Sequence, residues 1–77
     1  MPKRNYRMKY LIVVEKTETG FSAYSPDIDG CIATGNTKEE VEKNMKEDLE
    51  FHLEGLALEQ LSMPEPHSYS NYLEVMA

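Results

Sequence analysis

The four residues Thr37-Lys38-Glu39-Glu40 constrain this chain more than any others, because they form a capping box. The Thr37 hydroxyl accepts from the Glu40 amide, and the Glu40 carboxylate reaches back to Thr37. A long helix starts there. Glu39, Glu40 and Glu42 complement the positive end of its dipole, and Gly55 supplies a left-handed C′ position at its far end, with Leu56 at C″ packing on Phe51. The spacing predicts about 17 helical residues, roughly 25 Å of helix. At about 100° per residue, Val41, Met45, Leu49, His52 and Leu56 fall on one stripe, with Lys43, Glu47, Glu50 and Glu54 opposite. One face is core and the other is solvent.

The rest of the chain reads as strands. Residues 8–15, MKYLIVVE, are β-branched and apolar at the centre, as in a strand buried on both faces. A polar turn, Lys16 to Gly20, leads to Phe21–Ser25, which alternates and is stopped by Pro26. Pro26-Asp27-Ile28-Asp29-Gly30 is loop chemistry, and Cys31–Thr34 makes a short third strand ending at Gly35-Asn36. After the helix, Pro64-Glu65-Pro66 is a stiff connector. Tyr69, Asn71, Leu73 and Val75 then alternate with Ser68, Ser70, Tyr72, Glu74 and Met76 as a fourth strand. The expected fold is α+β, order β-β-β-α-β, a small sheet of three to four strands with one long helix on one face. That helix covers one face, yet the first strand offers apolar residues to both, so a second copy of the chain or another protein is expected to cover the other.

At 77 residues the chain is near the lower limit for a self-sufficient core, and it holds one cysteine, too few for an internal disulfide. A lone cysteine suits the reducing cytoplasm. The apolar run at residues 10–14 is too short for a signal h-region or a membrane span. Eight Lys or Arg against 14 Asp or Glu give a net charge of −6. The charge is polarised: residues 1–16 carry +4, and everything after them −10. An acidic body repels phosphate backbones and attracts basic surfaces, so nucleic acid is not expected as a direct partner, whereas a nucleic-acid-binding protein is.

Asp27 and Asp29 with Asp48 could in principle converge on magnesium for phosphoryl chemistry, but Asp-x-Asp within a Pro-Gly loop is more often turn chemistry. Asp48 lies one helical turn before His52, which makes an oriented pair at an interface feasible. No Ser, Thr or Cys is placed to serve as its nucleophile. Two histidines and one cysteine show no zinc spacing, no glycine-rich phosphate loop is present, and Cys31 reads as a buried, inert thiol. No metal, cofactor or catalytic residue is expected.

The arrangement is more specific than its parts. Pro26-Asp27-Ile28-Asp29-Gly30-Cys31, followed at fixed spacing by Gly35-Asn36-Thr37-Lys38-Glu39-Glu40 and then by Asn44 and Phe51-His52-Leu53, resembles the HicB-like antitoxin family. The likeness runs from Met8 to about Pro66. It implies a partial ribonuclease-H-like domain that is not an enzyme and that neutralises a basic HicA-type messenger-RNA endonuclease by covering its active-site and RNA-binding surface. Many family members add a C-terminal DNA-binding domain. Here the expected organisation is a basic extension over residues 1–7 and a single HicB-like domain over 8–77, with no separate DNA-binding domain. The family tends to have a small residue where Asp48 stands. The residues expected to meet the toxin are Asp27 and Asp29 in the loop, with Glu65, Tyr69 and Tyr72 in the last segment. Two alternatives stand beside this reading: a metal-dependent nuclease of ribonuclease-H-like fold, and an orphan oligomeric domain with no toxin.

Overall fold

β-Branched residues and turn chemistry produce three strands and a helix within residues 7–77, the part of the chain that the computed structural model describes. They are β1 (Val13–Lys16), β2 (Phe21–Ser25), β3 (Ile28–Gly35) and α1 (Lys38–Leu58). The strands form one antiparallel sheet in the order β1-β2-β3. The first turn closes through the Thr17 amide, which donates to the Gly20 carbonyl at 2.8 Å, and the Gly20 amide, which donates to the Thr17 hydroxyl at 3.0 Å.

β1 is shorter than the 8–15 expected, for a local reason. The register pairs Val13 with Tyr24, and carrying it on would set Leu11 opposite Pro26, which has no N–H to give. The Ser25 hydroxyl donates to the Leu11 carbonyl instead, at 2.9 Å. β3 is longer than expected, because the loop is only a turn at Pro26-Asp27. The ladder jumps between Tyr24/Ile32 and Ser25/Ile28. Asp29, Gly30 and Cys31 form this irregularity, and Gly30 takes φ +84°, a backbone shape that suits glycine.

The core lies between the sheet and α1. Ala23, Ile28, Cys31 and Ala33 of the sheet meet Val41, Met45 and Leu53 of the helix, with Tyr10, Ile12, Val14 and Leu49 packed around them. Gly35 lets the start of α1 close on the sheet, since a Cβ there would strike the Val41 backbone. The Asn44 side chain donates to the Thr34 carbonyl at 2.8 Å and ties α1 to β3. On the opposite face the register lines up Val13, Tyr24 and Ile32 in one row. That row is not covered by the helix, and Ile32 is 67% exposed.

The capping box is half as expected. Thr37 accepts from the Glu40 amide at 3.0 Å, but the Glu40 carboxylate accepts from the Asn36 amide at 2.7 Å, one residue before the cap. The other end is a correction. Gly55 lies inside a 21-residue helix, and the left-handed residue is Gln60, with φ 59°. The Leu61 amide donates to the Leu56 carbonyl at 2.9 Å and the Gln60 amide to the Ala57 carbonyl at 3.1 Å, the bond pair of a Schellman end displaced five residues from Gly55. Phe51, expected to pack on Leu56 there, is 80% exposed. The fourth strand is a second correction: among the described residues no strand follows α1, and residues 69–76 stand exposed without a ladder. Alternation marks a segment as fit for a ladder, but a ladder also needs a neighbouring backbone, and among the described residues none pairs with it.

Candidate functional site

Two features meet at the end of the molecule where β2 turns into β3. The first is a clasp centred on Asp27, whose side chain is wholly buried. Its Oδ1 accepts from the Ser68 hydroxyl at 2.6 Å, and its Oδ2 accepts from the Ser68 and His67 amides, each at 3.0 Å. His67 Nδ1 stands 3.2 Å from Asp27 Oδ1 and 3.1 Å from the Glu65 carbonyl oxygen, two acceptors that favour the tautomer with its proton on Nδ1. The Ser68 hydroxyl above all, then its amide, then His67, hold the Asp27 carboxyl below its usual range. Nearby, the Tyr10 hydroxyl donates to the Pro64 carbonyl at 2.6 Å and fixes the connector.

The clasp brings together residues about 40 positions apart in sequence. Of the five residues expected to face a toxin, Asp29, Glu65, Tyr69 and Tyr72 are exposed, and the clasp holds the segment bearing the last three against the turn that leads to Asp29. Asp27 differs from the other four in that both its oxygens are engaged within the chain, which makes it an internal strut. No local pattern shows this, since Asp-Ile-Asp reads as turn chemistry and nothing near Ser68 announces its partner.

The second feature is a groove of about 410 Å³ between β3 and the C-terminal half of α1. Gly30 and Cys31 line one side, and Asp48, His52, Phe51 and Leu58 line the other. Asp48 and His52, expected as a pair, share this groove, both half-buried. Cys31 is buried, and burial, then the charge of Asp48, pushes its thiol up, so the sulfur stays protonated and unreactive. Phe51 and Leu58 are apolar residues two turns apart and off the core stripe, a spacing visible in the sequence, although the cap pattern at Gly55 points Phe51 to Leu56 instead.

Asp27 is committed to the clasp, Asp29 sits on β3 and Asp48 on α1, and among the described residues no three His, Cys, Asp or Glu side chains gather as metal ligands. Among the described residues no helix is long and apolar enough to cross a membrane.

Comparison with known proteins agrees with this geometry. Residues 10–76 match the family model of the HicB-like antitoxin of bacterial toxin-antitoxin systems. A chain in the solved structure of a HicA3 and HicB3 toxin-antitoxin complex is 42% identical, with a TM-score of 0.66 over 78% of this chain and 70% of that one. A second solved structure, of antitoxin HicB3, is 44% identical, with a TM-score of 0.65 over 74% of this chain and 42% of that one. Haemophilus phage HP1 encodes an uncharacterised 14.9 kDa protein 33% identical over 66 residues, of which this chain spans half the length. A UPF0150 protein of Helicobacter pylori is 38% identical over 50 residues, 65% of this chain and 69% of that protein. Three antiparallel strands under one long helix, shared with HicB3 at more than 40% identity and matched by the family model across nearly all the described residues, place this chain in the HicB-like antitoxin family.

Proposed function

We propose that this chain is an antitoxin that binds a HicA-type messenger-RNA endonuclease and neutralises it by covering its RNA-binding and active-site surface. The observation that supports this best is the 42% identity and common fold with a chain of the HicA3 and HicB3 complex. The physics agrees. Residues 17–77 carry a net −10, a charge that speeds encounter with a cationic RNA-binding surface and competes with RNA for it. The activity is binding alone, in the cytoplasm, without cofactor, catalysis or direct contact with nucleic acid.

The toxin-facing surface in this reading is the one the clasp organises, with Asp29 and Glu65 supplying charge and Tyr69 and Tyr72 supplying exposed aromatic area. A second copy of the chain covers the open face of the sheet along Val13, Tyr24 and Ile32. The direct test is co-expression with a HicA-type toxin. The expected result is a complex that survives gel filtration and weakens as salt rises; separate elution of two folded proteins at low salt overturns the reading.

A further inference from the structure

The groove between α1 and β3 has a chemistry of its own. From residue 47 to residue 77 the chain holds seven Asp or Glu and not one Lys or Arg. The last turn of α1 carries no basic residue, although a helix C-terminus is the negative end of the dipole, where cations stabilise and anions do not. Asp48, Glu54 and Glu59 line the groove at this end with no Lys or Arg among its lining residues. By contrast, the groove on the other side of α1 mixes Glu42 and Glu50 with Lys9 and Lys46. The negative field at the helix end is thus uncompensated within this part of the chain.

Apolar surface lies inside that acidic rim. Phe51 is 80% exposed and Leu58 62% exposed, two turns apart on the flank of α1, where a soluble helix would carry polar residues. The groove floor beside them is open at Gly55, where even an added Cβ would meet nothing within 4 Å. Its far wall is β3, an edge strand whose one ladder neighbour among the described residues is β2. Acid at the rim, bare apolar side chains at the centre and an unpaired strand edge are the three components of a site for a cationic protein segment with an apolar anchor. A second copy of this chain is a poor occupant, because an isologous contact would oppose two acidic rims.

We propose that this groove is the docking site for a cationic partner segment that seats an apolar side chain between Phe51 and Leu58 and sets Lys or Arg against Asp48, Glu54 and Glu59. Resting on the antitoxin reading, the inference assigns the toxin's main anchor to the groove, next to the surface organised by the clasp. The probe is a purified HicA-type toxin with its catalytic histidine replaced, titrated into the full chain.

Phe51→Ala is expected to weaken binding at least tenfold at an unchanged thermal midpoint. Glu54→Lys with Glu59→Lys is expected to weaken it at least tenfold and flatten its salt dependence while leaving the midpoint equal or higher, since these changes favour the helix dipole. Glu15→Lys with Glu18→Lys, at the opposite end of the sheet, alters charge equally and is expected to change affinity less than threefold. Wild-type binding that all three variants match, or that the Glu15 and Glu18 pair weakens as much as the groove pair does, overturns the groove while leaving the antitoxin reading intact. Wild-type protein that does not bind this toxin at all overturns both.

Discussion

Asp27 shows how one side chain can decide the course of a whole segment. Its carboxylate accepts three hydrogen bonds from residues 67 and 68, and these favour the ionised form, so its pKa lies below the ordinary value of 3.8. A group with a depressed folded-state pKa stabilises fully above its unfolded pKa and loses that contribution as pH falls through the folded value. The clasp is therefore expected to hold at neutral pH and to open only in acid below the usual carboxylate range. Asp27→Asn should speed hydrogen exchange at the His67 and Ser68 amides and lower the thermal midpoint at pH 7, with the difference from wild type vanishing at low pH. An equal difference at pH 7 and at pH 2 would contradict the ionised strut. Asp29 is exposed and outside the clasp, so Asp29→Lys is expected to reduce toxin association rate and its salt dependence without altering exchange at Ser68, which stopped-flow and exchange measurements can separate. The sequence marks both aspartates as noteworthy but does not separate their roles, because the partner that buries Asp27 lies some 40 residues away.

At the scale of elements, legibility follows how local the cause is. The start of α1 is readable because Thr37 and Glu40 act within one turn, and β2 because its alternation ends at a proline. The end of α1 is misread because Gly55 satisfies a cap pattern that a stronger contact overrides. Leu56 packs on the core cluster, which carries the helix past Gly55 to Gln60. The same cause makes a prediction for each of the two positions, glycine being unfavourable at the first and favourable at the second. Gly55→Ala is expected to raise stability by about 1 kcal/mol, the helix-interior difference between the two residues, as measured by denaturant unfolding; a left-handed C′ glycine would instead lose stability. Gln60→Gly is expected to gain roughly 0.5 to 1 kcal/mol, since a non-glycine residue in the left-handed region costs about 1–2 kcal/mol, partly offset by glycine's entropy. Residues 69–76 are the reverse case: their pattern is a strand's, but no local signal says whether another backbone will lie beside them.

At the scale of the molecule, two surfaces stay unsatisfied by the described chain itself, the apolar row Val13, Tyr24 and Ile32 on the open sheet face and the acid-rimmed groove between α1 and β3. They call for different partners. The open face is expected to join a second copy, so sedimentation at tens of micromolar should give twice the chain's 8.9 kDa, and Ile32→Asp should return the monomer. The acidic end is expected to take the toxin, which fits a charge confined to one sign over the last 31 residues. Family membership was legible in the spacing of Pro26 to Cys31 and Gly35 to Glu40, whereas the groove depends on how α1 lies across β3 and is visible only in three dimensions. The measurement that bears most directly on the antitoxin role is messenger-RNA cleavage by the purified cognate HicA-type toxin as this chain is titrated in. Cleavage is expected to fall linearly and stop near a fixed stoichiometric ratio, with added salt restoring it; cleavage undiminished by a severalfold molar excess of folded protein at low salt would contradict the role.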